Sequence, residues 1–188
     1  MKEIRKFIET VYPINNPDWN YFSNKLEKIN LKKKSILLDV GHVEGNLYFI
    51  SKGIVRQFIP KDENDITFGF LFENEFVTAY DSFLTQTPSL YSLETLTEVT
   101  LWRISKENLE DVFDNTLSGN IIGRKMAEEM FLIKSKRELS FLSKTAEERY
   151  LDLFKERPEL LKLIPLKQIA SYIGVTPQGL SRIRKRIN

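Results

Sequence analysis

The chain has no cysteine and a single histidine, His42. Without thiols it can form no disulfide, no thiolate zinc site, no cysteine-ligated iron–sulfur cluster and no cysteine nucleophile. No Ser-His-Asp set is expected around His42, which, beside Gly41, is expected in a loop or hairpin rather than on a haem iron. Charged or polar residues interrupt every apolar stretch, and residues 1–30 hold no signal-peptide core, so the expectation is a cytoplasmic protein with no membrane partner. There is no glycine-rich phosphate loop of the Walker or Rossmann type, and the run DEND at 62–65 lacks calcium-loop spacing. No catalytic residue, metal ligand or cofactor site is therefore expected, and the chain is not expected to be an enzyme.

What is present is 188 residues, 41% of them apolar, which is enough to bury a core. Charge is spread unevenly under the small net value of +2. After Glu159 come Lys162, Lys167, Arg182, Arg184, Lys185 and Arg186 with no anion, while acidic residues outnumber basic ones in the rest of the chain. On charge alone this is either a solvated tail or a surface for a polyanion.

Hydrophobic periodicity divides the chain into three parts. Residues 2–12 and 18–30 have helical spacing, the second through Trp19, Phe22, Leu26 and Ile29. From Ser35 to Ile104 the period is two, in the runs 35–40, 46–50, 53–60, 65–72, 75–80, 89–96 and 99–104, with Phe68, Phe70 and Phe72 on one face. Short strands at such spacing predict a small antiparallel barrel or roll. Its aromatics, Phe68, Phe70, Phe72, Phe76 and Phe83, are expected in the core or lining an apolar pocket. Helical spacing returns over 106–114 and 117–142. Ile122, Met126, Met130 and Ile133 step by four and three along the longer helix, the pattern of a two-helix dimer seam. Thr145 and Glu148 form a capping box that opens another helix, ending before Pro158.

The last segment carries the most information. In LKQIASYIGVTPQGLSRIRKRI (166–187), Ala170 is small where two helices would cross, and Gly174 suits a left-handed turn. Thr176 suits an N-cap and Pro177 the first helical position. At about 100° per residue, Leu180, Ile183 and Ile187 share one face. Gln178, Arg182 and Lys185 fall nearly opposite, bordered by Ser181 and Arg184. That layout fits a helix-turn-helix, with Gln178, Ser181 and Arg182 reading bases and Thr176, Lys185 and Arg186 holding phosphates of double-stranded DNA.

Here the chain resembles a known family. G41, NLYFISKGIVRQF (46–58), ENEF (73–76), LETLTEVTLWRIS (93–105) and the tail AEERYLDLF…IPLKQIASYIGVTPQGLSRIRKR are similar to the CRP/FNR transcription regulators, particularly the short Bacteroidetes-type members. The resemblance implies an α+β fold: a cyclic-nucleotide-binding-like antiparallel β-roll with flanking helices (1–116), a dimerisation helix (117–142) and a helix-turn-helix domain (143–188) without the family's terminal wing. It also implies a homodimeric transcription regulator that contacts RNA polymerase and has a sensor roll for an effector small molecule. The family's phosphate cassette is altered: its Gly-Glu pair falls at Thr78 and Ala79, and its Arg followed by Ser or Thr falls at Ser89 and Leu90. Of the usual recognition-helix residues only Arg182 is kept, the Arg-Glu pair being Pro177 and Gln178. The roll is thus not expected to bind cyclic AMP. The other function open at this point is a small-molecule-binding module that acts through protein contacts.

Overall fold

The computed structural model describes residues 1–187. Helix α1 (Lys2–Val11) buries Ile4 and Ile8, one turn apart. Helix α2 (Asn16–Ser23) is capped by Asn15, whose side chain accepts the Asp18 N–H, and buries Trp19 and Phe22. It ends at Ser23. The segment expected to continue as helix to residue 30 instead forms strand β1 (Glu27–Leu31). Leu26 and Ile29 satisfy a helical step and an alternating one equally well. Pairing with β8 (Val99–Ser105), from Glu27↔Arg103 to Leu31↔Val99, decides between them.

The roll is completed by β2 (Ile36–Leu38), β3 (Asn46–Lys52), β4 (Val55–Ile59), β5 (Ile66–Leu71), β6 (Phe76–Val77) and β7 (Ser92–Thr95). Two antiparallel four-stranded sheets result, in the orders β1-β8-β3-β6 and β2-β7-β4-β5. Ile50, Val55, Leu93 and Leu101 fill the space between them. The run 75–80 is strand only at Phe76 and Val77. From Tyr80 it turns into a short helix, α3 (Tyr80–Thr85), which periodicity did not disclose.

Helix α4 (Lys106–Asn115) follows, and then α5 (Leu117–Ser143), whose 27 residues span about 40 Å. Phe49 and Ile104 of the first sheet share a cluster with Ile4, Ile8, Trp19, Phe22, Val112 and Ile122, so the flanking helices and the start of α5 close that end of the roll. Helix α6 (Ala146–Glu156) opens on the expected capping box, with Thr145 and Glu148 satisfying each other's backbone N–H groups. The chain continues through α7 (Pro158–Leu163), not foreseen from sequence, α8 (Leu166–Tyr172) and α9 (Pro177–Ile187). Among the described residues no helix is long and apolar enough to cross a membrane.

Candidate nucleic-acid interface and the cleft behind it

Helices α8 and α9 meet through a tight turn. The Gly174 N–H donates to Ser171 O and the Val175 N–H to Ala170 O, the paired bonds of a Schellman cap. Gly174 has φ +78, and a Cβ there would lie 2.8 Å from the Phe141 ring. Two requirements, a left-handed backbone and bare space, thus converge on one residue. Gly174→Ala is expected to destabilise the C-terminal helices by roughly 1–3 kcal/mol. Urea denaturation followed by circular dichroism would measure it, and an unchanged midpoint would contradict the assignment.

Past the turn, the Thr176 hydroxyl accepts the Gly179 N–H at 3.1 Å, as an N-cap does. Leu180 and Ile183 are buried in a cluster with Ile169, Ala170, Ile173, Tyr150 and Leu153, and Ile187 packs against it. On the other side Gln178, Ser181, Arg182, Lys185 and Arg186 are exposed. Arg186 is held at 2.8 Å by Glu147 in the first turn of α6, so any phosphate it contacts shares it with that carboxylate.

This helical unit is seated on the roll. Ile54 and Phe70 belong to the same buried cluster as Leu180 and Ile183, and the Phe70 ring lies 5.2 Å from that of Tyr172. The Ser171 hydroxyl accepts the Thr67 N–H and donates to Asp65 O, both at 2.8 Å. Strand β5 is the edge of its sheet, and Ser171 satisfies backbone groups that β4 does not reach.

On β5 the register slips between Gln57↔Gly69 and Phe58↔Thr67, leaving Phe68 opposite no residue of β4. Such a bulge re-aims a side chain. Phe68 accordingly departs from the face it was expected to share with Phe70 and Phe72, and packs edge-on against Tyr91 at 4.8 Å. Phe68 and Tyr91 line a cleft of about 1110 Å³ between the roll and α5. Inside the roll, Gln57 donates to Thr78 O at 3.2 Å and lies over Gly69, where any Cβ would collide with it.

The four cassette positions flank α3. Thr78 and Ala79 are buried and lead into the helix. The Thr78 hydroxyl donates to Asn46 O at 2.8 Å. The Ala79 N–H is engaged by Glu44, a buried carboxylate that sequence reasoning passed over and whose carboxyl is pushed up, first of all by burial. Ser89 is buried with its hydroxyl donating to Tyr91 O, while Leu90 is 75% exposed. The two strand cations that could replace the cassette's Arg are engaged elsewhere. Arg56 pairs with Asp65 and Glu94 at 2.8 and 3.0 Å, and Arg103 with Glu27 at 2.7 Å.

The four residues expected as a dimer seam differ in burial within the single chain. Ile122 is buried in its own domain's cluster and Met126 packs against it. Met130 is half-buried and Ile133 is 59% exposed. Apart from Leu117 at its start, the large exposed apolar side chains of α5 are Phe131, Leu132, Ile133, Leu139, Phe141 and Leu142, all in its second half. His42 is exposed in the loop before β3, as expected.

Residues 28–116 match the cyclic nucleotide-binding domain family. That segment is similar to cyclic nucleotide-binding domains. Three solved structures extend the likeness beyond it. They are the c-di-GMP-responsive global regulator CLP of Xanthomonas campestris (TM-score 0.69, 18% identity, covering 92% of this chain and 91% of that one), FixK2 of Bradyrhizobium japonicum (0.70, 15%, 86% and 84%), and a Eubacterium rectale protein described as a transcriptional regulator of the CRP/FNR family (0.63, 18%, 95% and 87%). No curated protein matches the chain in sequence. The chain as a whole has the fold of the CRP/FNR-type regulators: roll, long helix and C-terminal helices in one order.

Two residues of the roll escaped sequence reasoning although their identities carried a signal. Gln57 is polar at an inward position of β4, and Gly69 breaks an otherwise bulky β5 opposite it. Ser171 could not have been found, because its role depends on α8 meeting an edge strand more than a hundred residues earlier in the chain.

Proposed function

We propose that this chain is a homodimeric DNA-binding transcription regulator whose helices α8 and α9 form the helix-turn-helix. One observation carries the reading: α9 is buried on Leu180 and Ile183 and exposes Gln178, Ser181, Arg182 and Lys185 on its other side. Arg forms bidentate hydrogen bonds to guanine and Gln to adenine in the major groove, while Lys and a capping hydroxyl suit phosphates. RNA polymerase is the further partner this reading implies. The tertiary seat of α8 on β5 supports a stable placement of the helix.

Arg182→Ala is expected to lose about 1–3 kcal/mol at one base pair of the selected operator and to relax specificity there. Lys185→Ala weakens all sequences alike and lowers the salt dependence by about one ion. Operator selection followed by gel shifts in a salt series tests both. Wild-type affinity in Arg182→Ala would remove the base-reading role.

The roll is not built for cyclic AMP. A phosphodiester in the cassette needs a cation. Ser89 and Leu90 supply none, and Arg56 and Arg103 are already paired. Calorimetry with cyclic AMP is expected to show no saturable binding at millimolar nucleotide. Micromolar binding with a gain in operator affinity would overturn this.

A further inference from the structure

We propose that Arg137, Phe141 and Arg149 form a rigid joint between α5 and the α8–α9 turn, and that this joint fixes the spacing of operator half-sites the protein accepts. The three are positioning residues, with no base or phosphate contact of their own. The spacing role rests on the dimeric regulator reading above. The joint itself does not.

The carbonyls at the end of α8 are where the joint is made. A helix leaves its last C=O groups without intrahelical partners. The Schellman bonds from Val175 and Gly174 take two of them, Ala170 O and Ser171 O. The next two are taken by guanidinium groups. Arg137 of α5 donates to Tyr172 O at 2.9 Å, and Arg149 of α6 donates to Ile173 O at 3.0 Å. Positive charge is favoured at this end of a helix. Arg149 also donates to Lys144 O, the C-cap of α5. One guanidinium therefore holds the ends of two helices together, and its planar fork sets their directions.

Phe141 fills the space between. Arg137 and Phe141 lie one turn apart on α5 and share a face. The guanidinium carbons of Arg137 and Arg149 are 4.8 and 4.5 Å from the centre of the Phe141 ring, and that of Arg137 is 4.1 Å from the Tyr172 ring as well. Ring faces attract both cations and offset part of their mutual repulsion. The Phe141 ring also abuts Gly174 so closely that no side chain fits there.

The consequence is mechanical. Between α5 and α6 only Lys144 and Thr145 lie outside a helix, and α9 begins at Pro177, just past the pinned turn. Moving a half-site by one base pair shifts it by about 3.4 Å and turns it by roughly 35°, since a DNA turn of about 34 Å holds about 10 base pairs. A joint bonded at both helix ends does not follow that step without giving up a hydrogen bond. Misspaced half-sites are then not engaged together, and the about 10²–10⁴-fold advantage of a linked second site is lost.

The test uses the full chain in gel shifts with the selected operator, with versions that gain or lose one base pair between the half-sites, and with a single half-site. Wild type is expected to bind the misspaced operators about 10²-fold or more weakly, no better than the half-site. Arg149→Lys keeps the charge and loses the fork. It should bind all the full operators within about tenfold of one another, with unchanged half-site affinity. Phe141→Tyr keeps the ring and should keep the wild-type discrimination. Three results would overturn the proposal. They are a wild type that tolerates the altered spacing, an Arg149→Lys variant that discriminates as wild type does, and a half-site affinity that falls in that variant as far as operator affinity, the sign of a general loss of α9's seat. Hydrogen exchange without DNA reads the joint alone. The Gly174 and Val175 amides should exchange about tenfold faster or more in Arg149→Lys, and equal rates refute the joint. A wild type that binds no half-site strikes the regulator reading and the spacing role with it, while the exchange measurement still decides the joint.

Discussion

Ile133→Glu is expected to convert the protein to a monomer and to weaken operator binding by about 10²–10⁴-fold, the advantage that a linked second half-site confers. The expectation rests on the second half of α5, where Phe131, Leu132, Ile133, Leu139 and Leu142 are between 59% and 79% exposed. With Phe141 at 40%, six large apolar side chains are exposed over three turns of one helix, more than scattered surface residues account for, and such an apolar segment marks an interaction site. A second α5 is the partner whose own face is equally unpaired, and a helix-turn-helix dimer needs its recognition helices about 34 Å apart to reach successive major grooves. A glutamate at 133 would bury an unpaired charge in that contact. Leu139→Glu should act in the same way. Ile122 is a poor site for the test, since its substitution would damage the domain core and not the surface. Light scattering reads the outcome: a wild-type mass of twice 22.1 kDa at micromolar concentration, falling to 22.1 kDa in the variant. A wild-type protein that already runs as a single chain would end the dimer proposal.

Leu180→Ala should produce the largest loss of stability in the C-terminal helices. Leu180 is 1% exposed at the centre of the cluster that joins α6, α8 and α9 to Ile54 and Phe70 of the roll. Truncation there removes buried methyl groups and leaves a cavity that several helices and a strand would have to close, at a cost of about 2–5 kcal/mol. Because α9 loses its seat, operator binding should fail well before the roll unfolds. Urea titration of the variant, followed by helical circular dichroism and by Trp19 and Trp102 fluorescence, separates the two events. A cost below about 1 kcal/mol would show that α9 is not anchored through Leu180.

These two variants also show where sequence was a good guide. Leu180 and Ile183 could be assigned to the core from angular spacing alone, because an isolated helix with one apolar stripe has one way to bury it. The capping box at Thr145 and Glu148, the turn at Gly174 and the alternation of most strands are equally local, each fixed by residues within a few positions. The absence of cysteine and the basic C-terminal end narrowed the chemistry before any fold was known. The resemblance located the roll, of which residues 28–116 match the family.

What sequence left open depended on contacts distant along the chain. Residues 27–31 suited helix or strand, and only β8 chose. Phe68 parted from Phe70 because a bulge, which alternation does not encode, shifted the register of β5. The stripe from Ile122 to Ile133 had a regular step, but the roll's own helices cover its first half, and a step pattern carries no information on which neighbour covers it. Ser171 and Gln57 take their places from an edge strand and a glycine that the fold alone brings beside them. The sequence by itself determined that a roll of short strands precedes a long helix and C-terminal helices, and the apolar and basic faces of α9. Tertiary structure decided the register, the seat of α8 and the cleft, because each is a relation between surfaces and not a property of any one segment.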